Sequence, residues 1–131
     1  MLDTNAVSDL MYDPIGPVGQ RMAVVGTGDI AVSLIVVAEL RFGVAKSGSA
    51  RLAAQLDRVL SGLAVKAWDA PADQVYGEIR ADLHKRGQPI GGNDLLIAAH
   101  ALALDCILVT DNVGELSRVP GLRIENWLRR D

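Results

Sequence analysis

The sequence predicts an α/β domain built on a mostly parallel sheet, and three observations carry that prediction. Helix-period and strand-period apolar patterns alternate along the chain. The clearest strand pattern, Ile107-Leu108-Val109-Thr110, is continuously apolar and bounded by polar residues, as expected of a strand covered on both faces. At 131 residues the chain has the length of one domain and is too short for two independent cores.

The elements follow in order. Met1-Leu2-Asp3 reads as the end of a very short first strand. A weak helix is expected from Ala6 to just before Pro14, and a second over Val18 to Val25. Gly26-Thr27-Gly28 breaks the helical pattern, and Asp29-Ile30-Ala31-Val32 reads as a buried strand. Leu34 to Lys46 suits a helix, with Val37, Leu40 and Val44 at core-facing spacing. Ser49 is a good N-cap for the next helix, where Leu52, Leu56, Val59, Leu60 and Leu63 form an apolar stripe, and Gly62 lies where such a helix should stop. Ala64 to Trp68 reads as a strand. Asp69 and Pro71 then open a helix carrying Val75, Tyr76, Ile79 and Leu83 on one face, and Gly87 stops it. Gln88-Pro89-Ile90-Gly91-Gly92 must be a connection. Asn93 or Asp94 begins a largely buried helix that runs to about Leu104 and precedes the strand at 107–110. Pro120-Gly121 turns the chain into a last short strand near Leu122 to Glu125.

Composition bounds the function classes. Apolar residues make up 50% and charged residues 22%, enough to build one core and unlike a disordered chain. Apolar runs such as Leu34 to Ala38 are far short of the ~20 residues that cross a bilayer, so no membrane partner is expected. The N-terminus shows no basic segment followed by a hydrophobic one, so the expectation is a cytoplasmic protein. Cys106 is the sole cysteine, which excludes an internal disulfide and a multi-cysteine metal site; its apolar neighbours suggest an inert core thiol. The formal charge of −3 arises from 13 basic and 16 acidic side chains, which by itself argues against a nucleic-acid partner. Setting aside Asp3, Glu39, Asp94 and Asp111 as one cation site leaves 12 acidic against 13 basic groups, and the objection weakens.

Those four acids deserve a joint reading, because ligands in open α/β sheets bind beyond the carboxyl ends of the strands. Asp3 follows the first strand, and Asp111 follows the strand ending at Thr110. Asp94 sits in the first turn of its helix, and Glu39 lies about one turn into the helix after the second strand. Each has an ordinary explanation: a helix-dipole partner for Asp94, a turn for Asp111-Asn112, a solvated helix face for Glu39, a surface residue or N-cap for Asp3. Together at one sheet edge they would repel one another without a cation, and hard oxygen donors suit Mg²⁺ or Mn²⁺ rather than Zn²⁺. His84 is expected to be solvated and His100 to project away from Asp94, so paired-imidazole catalysis is not expected. Arg41, Lys46, Arg51, Arg80, Lys85 and Arg86 are equally well explained as a phosphate-guiding rim or as surface solubility. Trp68 is expected to pack in the core, and Trp127 to cover the sheet or join a dimer surface.

Several motifs now carry a family resemblance. Met1-Leu2-Asp3-Thr4-Asn5 resembles the opening motif of PIN domains, and Val37-Ala38-Glu39-Leu40-Arg41-Phe42-Gly43-Val44 is similar to the second motif of the VapC and FitB branch. Ile79-Arg80, Gly87-Gln88-Pro89-Ile90-Gly91, Asp94-Leu95-Leu96-Ile97-Ala98, Val109-Thr110-Asp111-Asn112 and the ending from Pro120 to Trp127 follow in that branch's order. The likeness spans essentially the whole chain, departing from the branch in its short first strand and at Val36, where relatives carry Thr.

The resemblance implies a PIN-like three-layer α/β/α domain around a mostly parallel sheet, a homodimer, Mg²⁺ or Mn²⁺, and hydrolysis of RNA phosphodiester bonds. It further implies structured RNA such as transfer RNA as substrate, and a VapB-like antitoxin as protein partner, the chain being the toxin. Asp3, Glu39 and Asp94 match the family's core acids. The fourth ligand falls on Asp111 or on Asn112, where many relatives place the acid. Thr4, Asn5, Thr110 and Asn112 are polar neighbours suited to holding carboxylates or water. The alternative is the same fold without catalysis, a module that binds RNA or protein. An aspartyl phosphatase is disfavoured because Asn5, not Asp, stands two residues after Asp3. A dinucleotide fold is disfavoured because Gly26-Thr27-Gly28 lacks the third glycine and precedes a strand.

Overall fold

The structure is a computed structural model and describes residues 1–128. Four short strands pair in parallel. β1 (Ala31–Ser33) pairs with β2 (Ala64–Lys66), and β3 (Leu108–Val109) with β4 (Ile124–Glu125). The expected first strand shrinks to one bridging residue, Leu2, which pairs in parallel with both Val32 and Val109 and so joins the halves. The Leu2 amide donates to the Ala31 carbonyl at 2.9 Å and the Asp3 amide to that of Val109 at 2.9 Å. The spatial order is therefore β2, β1, Leu2, β3, β4, a doubly wound sheet whose order reverses at Leu2.

Helices dominate. α1 (Thr4–Tyr12) and α2 (Pro17–Val25) follow Leu2. α3 (Leu34–Ser47) and α4 (Ala50–Ser61) connect β1 to β2. α5 (Ala72–Lys85) and α6 (Gly92–Ala103) connect β2 to β3, and a single turn, α7 (Val113–Leu116), follows β3. α1, α2, α3 and α4 pack among themselves, α5 packs along α6, and α3 also meets α6.

Most expected elements stand where the patterns placed them. Ser49 caps α4, accepting from the Leu52 amide at 3.1 Å, and Gly62 ends that helix. Gly87 has φ of +65°, the left-handed conformation a helix stop favours. Differences lie at boundaries. α1 starts at Thr4 rather than Ala6, because Asp3 supplies the N-cap. The second strand begins at Ala31 because Thr27–Asp29 forms a 3₁₀ turn. α6 starts at Gly92, one residue early. α7 was not expected, since four residues containing Gly114 carry no period. Cys106 is only half-buried.

The core centres on Leu2, Val7, Val32, Val36, Leu56, Ile97 and Leu108, all essentially inaccessible. His100 is 2% exposed, a buried residue on α6. Its Nδ1 lies 2.8 Å from the Ser33 hydroxyl, and its other nitrogen meets the Ala67 carbonyl, which ties β1, β2 and α6 together. Burial lowers its pKa, so it is held neutral. His84 is exposed as expected. Trp68 packs partly buried, its indole donating to the Leu96 carbonyl at 2.9 Å.

Candidate functional site

The carboxyl ends of the central strands carry a cluster of acids, and local structure explains how each arrives there. Asp3 leaves the sheet at Leu2 and turns at once into α1, so its carboxylate is 3% exposed at the head of that helix. Oδ1 accepts from the Thr4 amide at 2.8 Å, and Oδ2 accepts from the buried Thr110 hydroxyl at 2.7 Å. Ser33 caps α3 by accepting from the Ile35 amide at 3.1 Å. That start places Glu39 against α1, where its Oε1 accepts from the Thr4 hydroxyl at 2.9 Å. Asp94 comes from the first turn of α6.

The loop after β3 decides the fourth position. Side chains alternate as the extended chain leaves the strand. Thr110 points inward to Asp3, Asp111 points out, and Asn112 returns. Asp111 is exposed, and its Oδ1 accepts from Asn126 at 3.0 Å, so it does not join Asp3, Glu39 and Asp94. Asn112 does join: its amide donates to Asp94 Oδ2 at 3.0 Å and to Glu115 Oε2 at 3.2 Å. The fourth carboxylate is therefore Glu115 of α7, which the sequence reasoning missed. Its signal was present, an acid three residues after Asn112 at helical spacing, but it needed α7 to be seen.

Asn5 and Thr110 fix the loop that carries Asn112. Asn5 Oδ1 accepts from the Asp111 amide at 3.1 Å, and its amide donates to the Thr110 hydroxyl at 3.4 Å. The backbone N–H of Asn112 also donates to that hydroxyl, at 3.0 Å. Thr4, Asn5, Thr110 and Asn112 thus all contact the acids or the loop that presents them.

The electrostatics record crowding. Burial raises the Asp94 carboxyl to about 6, helped by the negative charge of Asp3, a hydrogen bond with the Glu115 side chain, and the charges of Glu115 and Glu39. Burial also raises Asp3, with Glu39 adding to it, while the bonds from Thr110 and Thr4 pull it back. Among the described residues, Lys and Arg form no ion pair with any of the four; the ion pairs hold Asp57, Asp82, Asp105 and Glu125 instead. This is an oxygen-only set with excess negative charge, the chemistry that Mg²⁺ or Mn²⁺ fits. Among the described residues, no three acidic, histidine or cysteine side chains close fully around one point. A cation here would therefore rest on one or two carboxylates, with water completing its shell, and the set lacks the nitrogen and sulfur donors that Zn²⁺ sites favour.

A cavity of about 410 Å³ lies elsewhere, lined by Met1, Ile30, Cys106, Ile107 and Trp127 near the opposite ends of the strands. It touches none of the four acids, so the chemistry is not there.

Comparison with known proteins agrees with this arrangement. The PIN domain family matches residues 1–122. The chain is 41% identical to Ribonuclease VapC2 of Rickettsia felis, over 97% of this chain and 96% of that protein. It is 35% identical to the tRNA(fMet)-specific endonuclease VapC of Salmonella typhimurium, over 97% and 96% respectively. Among solved structures, VapBC2 from Rickettsia felis bound to a promoter DNA fragment superposes with a TM-score of 0.90 at 38% identity, covering 97% of both chains. DNA-bound VapBC from Salmonella typhimurium superposes with a TM-score of 0.86 at 35% identity, covering 97% of this chain and 96% of that one. The sheet order, the acids at its carboxyl edge and the match across nearly the whole chain lead to one assignment: the chain belongs to the PIN domain family.

Proposed function

We propose that the chain is an endoribonuclease that hydrolyses phosphodiester bonds of structured RNA such as transfer RNA, and that it is the toxin of a toxin–antitoxin pair. The observation that carries this reading is the convergence of Asp3, Glu39, Asp94 and Glu115, none of which is ion-paired to a Lys or Arg among the described residues. Relatives named as ribonucleases support the reaction, and relatives solved as VapBC complexes support a VapB-like antitoxin as partner. A homodimer working in the cytoplasm completes the proposal. No helix of the described residues is long and apolar enough to cross a membrane.

The chain's own residues have definite tasks. Thr110 and the Thr4 amide fix both oxygens of Asp3, leaving its remaining lone pairs for a cation. Thr4 presents Glu39, and Asn112 holds Asp94 and Glu115 side by side. When bound, Mg²⁺ or Mn²⁺ supplies Lewis-acid chemistry, making water a nucleophile near neutral pH and offsetting charge on the phosphoryl oxygens. One or two of these carboxylates would hold it directly, with the others reaching it through water, and attack by water would leave a 5′-phosphate and a 3′-hydroxyl.

The test is cleavage of bulk transfer RNA by purified protein with Mg²⁺ or Mn²⁺ and with EDTA, alongside Asp94→Asn. Cutting that needs the cation and disappears in Asp94→Asn is expected. RNA binding without cutting under every metal condition would instead establish the non-catalytic module.

A further inference from the structure

One face of α5 carries Tyr76, Arg80, Leu83 and His84, at the i, i+4, i+7 and i+8 spacing that lines up side chains along a helix. Part of that face, where α5 packs along α6, stays open. It leaves a cavity of about 270 Å³ whose far wall includes Gly92 and Leu95. Those two residues flank Asp94 in the opening turn of α6; Asp94 itself is not part of the lining, so the cavity and the acids share the head of one helix.

The lining is unusual for a gap between packed helices. Arg80 is exposed, and its guanidinium lies 5.8 Å from the Tyr76 ring centroid while donating to the Tyr76 hydroxyl at 2.7 Å. Among the described residues Arg80 makes no ion pair, although Arg21, Arg41, Arg86 and Arg123 do. Trp68 meets Tyr76 edge-on at 6.2 Å between centroids and fixes that ring from behind. A Cβ built on Gly92 would meet nothing within 4 Å, so the backbone at the head of α6 is open to a ligand. The site is strongly acidic, whereas this wall carries Arg80, His84 and, next in sequence, Lys85 and Arg86.

We propose that this groove is a nucleotide subsite, which takes a base of the RNA next to the scissile phosphate. The base lies against Tyr76 and its adjoining phosphate sits on Arg80, combining stacking with a backbone charge contact as single-stranded RNA sites do. A volume of about 270 Å³ lies just below the usual span of ligand cavities, roughly 300–1,000 Å³, and so admits one base and not a helical stretch. Sequence preference would then arise on α5, away from the carboxylates that perform the cut. The inference rests on the ribonuclease reading.

The experiment measures transfer RNA binding by Asp94→Asn protein with Mg²⁺ across a salt series, and RNA cleavage in the unblocked chain. Arg80→Gln is expected to weaken binding about tenfold and to shallow the salt dependence by roughly one phosphate contact, ~0.7–0.9 in the log–log slope. Gly92→Leu, whose side chain enters the groove from a backbone position with open space around its Cβ, should weaken binding similarly while 4-thiouridine RNA loses its crosslink to α5. Both variants should melt within about 2 °C of their parent. Unchanged binding and cutting by both variants overturns the subsite and leaves the nuclease standing. Failure of the parent to bind or cut any RNA overturns both readings. Lost affinity for an antitoxin with RNA affinity intact assigns the groove to a protein and overturns the proposal.

Discussion

Asp94 shows how much the site depends on its own crowding. Its folded carboxyl titrates at about 6, against an ordinary value of 3.8. The fold therefore favours the protonated form. The stability this gives is complete below the ordinary value and is lost as pH rises through about 6. In EDTA the melting temperature should fall between pH 4 and 7, and Asp3, raised in the same direction, adds to the fall. Asp94→Asn should flatten that fall and melt about 2–5 °C above the parent at pH 7, as scanning calorimetry would show. An equal pH slope in both proteins would mean the carboxylates do not strain one another. Thr110 makes the opposite case, because its hydroxyl donates to Asp3 and receives the Asn112 amide. Thr110→Val should cost about 1–3 kcal/mol in urea unfolding and remove most cleavage, while Thr110→Ser should restore both.

Among the elements, α3 and α4 are fixed by serine caps of unlike consequence. Ser49 serves only α4, so Ser49→Ala should cost about 1 kcal/mol in urea unfolding with cleavage unchanged. Ser33 caps α3 and meets His100, and α3 carries Glu39. Ser33→Ala should therefore lower stability by more than Ser49→Ala and also slow cleavage, a difference that paired unfolding and activity measurements would expose. These helices were also the most legible part of the sequence. The stripe Leu52, Leu56, Val59, Leu60 and Leu63 repeats long enough to fix both a period and its ends. Strands of two or three residues offer no such repeat. β2 is exposed at all three positions and was visible only through its neighbours. In the site, Asp3 and Asp94 were legible because they stand at element boundaries, and Glu39 because it lies about one turn into the helix after the second strand. Choosing between Asp111 and Asn112 needed the direction of Thr110, and Glu115 needed a one-turn helix too short to leave a pattern.

For the molecule as a whole, the two halves of the sheet meet at Leu2, fully buried and bridged to both Val32 and Val109. Leu2→Ala should cost roughly 2–5 kcal/mol in urea unfolding, and the loss should appear in the whole cooperative transition rather than in one half. The same residue closes a loop of nearly the entire chain, since Asp3 beside it waits for Thr110, and Asn112 must bring Glu115 to Asp94. The centre is thus made from contacts of the longest range the chain offers, which form after local helices. While the protein is being made, the acidic cluster therefore stays incomplete until the segment from Thr110 to Glu115 has left the ribosome. A single cut ahead of Thr110 that frees the end of the chain takes with it the hydroxyl that holds Asp3 and the Asn112 that joins Asp94 to Glu115.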